Sequence, residues 1–236
     1  TYLDRDRSAV ANNGIILLHG YREEGDVYYL SKNYGSTWQV IAPGAYPRAP
    51  QSPNLALSHD GQTIVISDVN PLGYLAPYLS RDGGSTWNEL IPPTADPDQW
   101  AWGLNSLSGD GTTVALVGLN STIGVYSLSI SHDKGLTWQV AMTTPTDTEA
   151  PVIQTNGGAS SNNGTTLAIT LLDDFAGHFV TSLSHDGGLT WQVQSNVLSG
   201  GDIAMSDDGQ VIVTNGNSNQ YVSWNGGENW QILTTN

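Results

Sequence analysis

The side chains here that could do chemistry are carboxylates, tryptophans and a few histidines, because the chain contains no cysteine. There is therefore no thiolate nucleophile, zinc–thiolate centre or disulfide framework, although this leaves the redox compartment open. Carboxylates gather in irregular segments: Glu23, Glu24 and Asp26, then Asp96 and Asp98, Asp147 and Glu149, and Asp173 and Asp174 ahead of His178. Two carboxyl groups roughly 5 to 10 Å apart are what glycoside hydrolysis needs, one as acid and one as base or nucleophile. Acidic loop residues in a chain of formal net charge −15 are usually just solvated, so no catalytic residue is nominated. EF-hand and nonapeptide calcium spacings are absent, so no metal ligand or cofactor is expected, and Ca²⁺ would need an irregular site. His59, His132 and His185 each stand in a Ser-His-Asp string. Every such string coincides with a turn motif, and a catalytic triad requires convergence in space, so these are read as structural.

The aromatic residues offer recognition instead. Trp100 and Trp102 flank Ala101, and strand alternation puts both rings on one side. There they either stack on the apolar face of a ligand such as a sugar or cap a hydrophobic axis. Tyr21 and Arg22, then Tyr46 and Arg48, add aromatic and charged groups in the early loops. With Asp96, Asp98, Asp173, Asp174 and His178, these residues form the candidate ligand-binding set. Trp224 is expected to be exposed on the opposite rim.

Charge narrows the partners. The 236 residues include 7 Lys+Arg against 22 Asp+Glu, so nucleic acid and anionic membrane surfaces would be repelled. No apolar run approaches the roughly 18 residues of a membrane-spanning helix. Neither a signal peptide nor a start Met opens the sequence, which reads as a processed or excised segment. Charged residues are only 12%, while Ser, Thr and Asn together number 63. A hydrophobic fraction of 38% with 8 Trp still supplies a core.

Five of those tryptophans share one frame, Ser-x-(Asp/Asn)-x-Gly-x-x-Trp: Ser31-Asn33-Gly35-Trp38, Ser80-Asp82-Gly84-Trp87, Ser131-Asp133-Gly135-Trp138, Ser184-Asp186-Gly188-Trp191 and Ser223-Asn225-Gly227-Trp230. The frame describes a tight turn in which Ser and Asx oxygens accept backbone N–H groups, Gly takes a positive φ, and the Trp opens the next strand. Ahead of each box lies an Asx-Gly hairpin signal: Asn13-Gly14, Asp60-Gly61, Asp110-Gly111, Asn163-Gly164 and Asp208-Gly209. Each unit therefore reads strand 1, Asx-Gly turn, strand 2, variable loop, strand 3, box turn, strand 4. In the second unit these strands are expected at Asn54–Ser58, Thr63–Asp68, Leu75–Ser80 and Thr86–Ile91. Box glycines recur at intervals of 49, 51, 53 and 39 residues, so five such units consume the chain. The predicted fold class is all-β, a single five-bladed β-propeller of four-stranded antiparallel blades over residues 1–236. The blades fall at about 1–42, 53–92, 103–142, 156–195 and 201–236, and residues 1–7 could add a closing strand. Small residues in each first strand suit crowding around a narrow axis.

These boxes resemble the Asp-box, or BNR, repeats of sialidases, xyloglucan-active glycosidases, sortilin-type receptor domains and propeller lectins. The resemblance implies a propeller whose boxes are folding devices on the rim away from the usual active face. It also invites a sialidase reading, in which three arginines from different blades clamp a sialate carboxylate beside a Tyr–Glu pair and an Asp acid. The only arginines here are Arg5, Arg7, Arg22, Arg48 and Arg81, and the last lies in a box turn, so that activity is not expected.

The variable 2–3 loops and 4–1 crossovers lie at the blade end opposite the boxes, where function is expected. The expected role is a non-catalytic recognition or surface module, secreted, cell-surface or virion-borne. Its expected partner is a neutral glycan or a protein surface, with no nucleic acid and no membrane insertion. The alternatives are a structural or decoration subunit of a larger extracellular or virion assembly, and a glycoside hydrolase using loop carboxylates. The sequons at Asn120 and Asn163 match what composition alone supplies and license no claim of glycosylation.

Overall fold

The computed structural model describes residues 8–22, 25–41, 54–71, 74–92, 100–120, 122–145, 152–173, 178–199, 202–216 and 219–233. All regular structure in them is β. The first sheet contains β1 (Ser8–Val10), β2 (Ile16–Arg22), β3 (Gly25–Ser31) and β4 (Gln39–Ile41). The second contains β5 (Leu55–Leu57), β6 (Ile64–Val69), β7 (Leu75–Ser80) and β8 (Asn88–Glu89). The third contains β9 (Trp100–Leu107), β10 (Val114–Asn120), β11 (Val125–Ser131) and β12 (Gln139–Pro145). The fourth contains β13 (Val152–Ser160), β14 (Leu167–Asp173), β15 (His178–Ser184) and β16 (Gln192–Ser199). The fifth contains β17 (Ile203–Met205), β18 (Ile212–Asn215), β19 (Gln220–Ser223) and β20 (Gln231–Leu233). Strands neighbour one another in chain order within every sheet, and the pairing is antiparallel. The chain divides into two compact units, Thr1–Leu104 and Asn105–Asn236. The first holds two sheets and the opening of β9, the second the rest of β9 and three sheets. The expected closing strand in residues 1–7 lies outside the described residues.

The two middle strands of each sheet carry the core, because both their faces are covered. Ile64 to Asp68 and Val114 to Gly118 are buried without alternation, whereas all three residues of β20 are exposed. In the first unit Leu17, Tyr28 and Leu30 pack against Ile64, Ile66 and Tyr78, with Trp87 at the edge. In the second unit Leu128 and Ile130 meet Leu167 and Ile169 beside Trp191, and Leu183 meets Ile212 beside Trp230. Each of these box tryptophans thus joins a core shared with the preceding sheet.

The box turns are held by their own side chains. In the fourth, Ser184 Oγ accepts the Gly188 N–H at 2.7 Å and donates to Asp186 Oδ1 at 2.8 Å. Thr190 then donates its N–H to Oδ1 at 2.9 Å and its hydroxyl to Oδ2 at 2.6 Å. The second and third boxes repeat this around Asp82 and Asp133. Where Asn33 replaces Asp, Oδ1 still accepts from Ser31 and from the Thr37 N–H, but Nδ2 now donates to Thr37 Oγ1 at 2.8 Å. A threonine hydroxyl can donate or accept, so it reverses direction and the turn keeps its shape.

Glycine at the fifth box position answers two constraints. Gly188 has φ 92°, and a β-carbon on it would lie 2.2 Å from Ile130 Cδ1 of the preceding sheet. Four of the five expected Asx-Gly hairpins are present as four-residue loops, and the first is one residue shorter, closed by Ala11 N–H to Ile15 O at 2.9 Å. Ser58 N–H donates to Thr63 O and Gly61 N–H to Ser58 O, both at 2.9 Å, and the Asx residue keeps a negative φ. A second serine braces four of the five loops: Ser58 Oγ donates to Asp60 at 2.6 Å and accepts the Thr63 N–H at 2.9 Å, with Ser108, Ser161 and Ser206 repeating the pattern, while Ala11 holds that position in the first. Hairpin and box lie at the same end of each sheet and are joined there, for example by Gly187 N–H to Thr165 O at 2.9 Å. Neighbouring hairpins are joined too, through Asn12 N–H to His59 O in the first unit and through Asp110 N–H to Asn162 O and Asn162 N–H to Asp207 O in the second, each at 2.8 Å.

Candidate functional site

The opposite end of each sheet carries the variable loops, and there β9 begins. Its opening half is fixed to the second sheet by polar groups: Leu104 N–H donates to Ser67 Oγ at 3.1 Å, and Asn54 Nδ2 donates to Leu104 O at 2.8 Å. This anchoring sets the two preceding tryptophans. Trp100 and Trp102 do lie on one side, with ring centroids 5.2 Å apart and planes inclined by 17°. Trp102 is only 4% exposed and its buried Nε1 has no hydrogen-bond partner among the described residues, whereas Trp100 is half-buried. The inner ring thus backs the outer one. In the same unit Tyr74, at the loop end of the second sheet, is also exposed.

Of the other candidate residues, Tyr21 and Arg22 close β2 opposite Asp26 and Gly25, and Asp173 closes β14 opposite His178. These are loop-end positions, though the side chains lie outside the described set. Tyr46, Arg48, Asp96, Asp98 and Asp174 lie outside the described residues, as do Glu23, Glu24, Asp147 and Glu149. Trp224 is 62% exposed in the fifth box turn. No group of three or more His, Cys, Asp or Glu able to hold a metal occurs among the described residues, and no helix there is long and apolar enough to cross a membrane.

The structure adds a polar cluster in the first unit that sequence reading did not single out. Tyr28 OH donates to Ser67 O, and the His19 ring lies 5.4 Å from the Tyr28 ring. Tyr78 stands opposite Glu89 across β7 and β8, and Asn70 donates to Glu89 at 3.1 Å. Burial, then the charges of Glu89 and Asp68, push the Tyr78 phenol up to about 12. A tyrosine beside a glutamate and an aspartate has the residue types of a nucleophilic pair with an acid. Its environment works the other way, since a nucleophile needs the phenolate that burial and two carboxylates disfavour. Tyr78 is a buried phenol held in its protonated form beside these carboxylates. One of the histidine strings makes a contact between sheets: His132 bridges Thr113 Oγ1 at 3.1 Å and Gly187 O at 2.9 Å. Asn120 of the first sequon is buried, and its Oδ1 accepts the N–H groups of Thr122 and Ile123.

Five four-stranded antiparallel sheets with covered middle strands define the five-bladed β-propeller as the fold class. Solved structures agree. The chain is similar to a GH74 xyloglucanase from Xanthomonas campestris at 16% identity and TM-score 0.61, covering 96% of this chain and 38% of that one. It is similar to a putative TolB from Agrobacterium tumefaciens at 16% identity and TM-score 0.61, covering 97% and 80%. A third likeness is to a chain of a nidogen/laminin complex, at 13% identity and TM-score 0.57, covering 92% and 74%. The chain therefore spans well under half the length of the xyloglucanase. No family model matches the sequence, and no curated protein matches it. Identities this low carry the fold and nothing of the activity.

Proposed function

We propose that this chain is a non-catalytic recognition or surface module of the Asp-box type, binding a neutral glycan or a protein partner through its loop-bearing ends. The observation that carries this reading is the stacked Trp100–Trp102 pair. A half-exposed indole held flat against a buried one is a rigid apolar platform, the kind of surface on which a pyranose ring or an aliphatic side chain stacks at little entropic cost. Composition supports a neutral ligand, because 7 cations in 236 residues leave few clamps for an anionic one. No cofactor is required by this reading, and an extracellular, cell-surface or virion setting suits the Ser, Thr and Asn content.

A glycan array tests it. Binding that is lost in Trp100→Ala, with thermal unfolding little changed, supports the proposal. A blank array, together with recovery of the native protein in a larger particle, moves the role to a structural subunit. Polysaccharide hydrolysis that vanishes on substituting Asp96, Asp98, Asp173 or Asp174 would overturn the non-catalytic reading.

A further inference from the structure

A half-open groove of about 450 Å³ lies on the second unit, between the outer strand of the fourth sheet and the outer half of the fifth. That volume is in the range of small-molecule sites. Val193 and Gln194 of β16 form one wall, Ile232 of β20 and Trp230 the other, with Glu228 and Asn229 of the fifth box at the end. The polar groups in it are departures from the repeat. One repeat earlier, Ala141 stands where Gln194 stands, Leu189 where Glu228 stands, and Thr190 where Asn229 stands.

These departures are coupled to one another. In the fourth box the Trp191 indole donates to its own turn, at Gly188 O, 3.1 Å away. In the fifth, Trp230 Nε1 reaches across to Gln194 Oε1 at 3.3 Å. Because an indole N–H can only donate, the Gln194 atom facing it is the oxygen, and the amide NH₂ is turned away as a donor. Asn225 keeps the turn by accepting the Asn229 N–H at 3.0 Å, and with no threonine beside it its Nδ2 donates instead to Glu228 Oε2 at 3.4 Å. That contact orients one carboxylate oxygen and leaves the other as an acceptor.

We propose that this groove is a second binding site, for a neutral saccharide, distinct from the loop-bearing ends and independent of what they bind. None of the described lining residues is a cation, so an anionic ligand would face the Glu228 carboxylate with no counter-charge beside it. A cationic peptide would satisfy the carboxylate but presents donors to the outward-turned Gln194 NH₂, which is itself a donor. A sugar hydroxyl donates and accepts at once, so adjacent hydroxyls pair with both the carboxylate and that amide. Trp230, with Val193 49% and Ile232 50% exposed, supplies apolar surface for the C–H face of the ring.

The test is a titration of ¹⁵N-labelled protein with cellotriose, mannotriose and maltotriose, following the Trp230 indole and Gln194 amide resonances. At least one trisaccharide is expected to shift them saturably. The double variant Gln194→Ala, Glu228→Leu restores the side chains of the preceding repeat and leaves the Ser223 and Asn225 turn bonds in place. It is expected to weaken binding by about tenfold or more, the scale of one lost hydrogen bond to a charged group. Trp100→Ala is expected to leave the groove titration unchanged, which separates this site from the loop-bearing ends. Silence of both resonances towards all three sugars overturns the proposal. Sugar shifts of undiminished affinity in the double variant overturn it too, and a response to hexalysine alone would make the groove a cationic-peptide site.

Discussion

The Nε2 of His132 lies 2.9 Å from the carbonyl oxygen of Gly187, joining the third sheet to the box turn of the fourth. A carbonyl only accepts, so Nε2 carries a proton, and Nδ1 pairs with the Thr113 hydroxyl, which can donate or accept. Removing the ring in His132→Ala is expected to cost about 1 kcal/mol, a fall in Tm of roughly 2–4 °C for a chain of this size. Differential scanning calorimetry checks the loss, and ¹⁵N shifts of the imidazole check the tautomer. A variant as stable as the parent would remove His132 from the sheet contact.

Acid is expected to loosen the box turns. Hydrogen bonds from Thr86, then Ser80, hold the Asp82 carboxyl well below the usual carboxylate range, and Thr137 does the same for Asp133. The Thr190 hydroxyl and N–H, then Ser184, bring Asp186 down to about 2. A depressed carboxyl stabilises the folded state above its unfolded pKa of about 3.9, and that contribution drains away as pH falls through the folded value. Melting temperatures are therefore expected to be level from pH 7 to about 5 and to drop between about pH 4 and 2. Asp186→Asn, which the reversed Asn33–Thr37 bond shows the turn can accommodate, is expected to make that drop shallower. A drop of unchanged steepness would dissociate it from this turn.

Gly188→Ala is expected to be far more harmful than an alanine in an ordinary loop. The new methyl has a positive φ to bear and no room beside Ile130 Cδ1. Strain plus overpacking places the loss at about 2–4 kcal/mol, measurable by urea unfolding. Shortening the obstacle in the double variant Gly188→Ala, Ile130→Val is expected to recover part of it, leaving the backbone share.

The two stacked tryptophans are expected to separate cleanly. Trp102→Ala empties a buried site and should cost about 3–5 kcal/mol. Trp100→Ala removes a half-buried ring and is expected to cost a fraction of that. Equal losses in chemical denaturation would mean that both rings are core and that no platform exists.

Much of the fold was legible because its instructions are local. Ser184, Asp186, Gly188 and Thr190 close their turn within seven residues, and such short-range bonds between side chain and backbone leave a fixed spacing in the sequence. The same applies to Ser58, Asp60 and Gly61. The Asn substitutions at Asn33 and Asn225 were readable as tolerated, but not how: one is absorbed by a threonine reversing its hydroxyl, the other by recruiting Glu228. Trp100 and Trp102 were readable as a pair by strand alternation, whereas the burial of one and not the other is a matter of tertiary packing around a strand whose Leu104 is held by Ser67 and Asn54, far away in the chain. The contacts Tyr28–Ser67 and Trp230–Gln194 join separate sheets and leave no periodic trace. The signal that could have found the groove was the set of departures from the repeat at Gln194, Asn225, Glu228 and Asn229.

The backbone bonds that run from hairpin to hairpin have a consequence for timescales. Amides at the tips of turns normally exchange with solvent deuterium within moments, yet Asn12, Asp110 and Asn162 each donate to the carbonyl of the next hairpin at 2.8 Å. Their exchange requires two neighbouring hairpins to part rather than one turn to fray. The box-bearing ends should therefore hold deuterium out about as long as the middle strands do, a set of clasps in which loop residues keep the slow clock of the core.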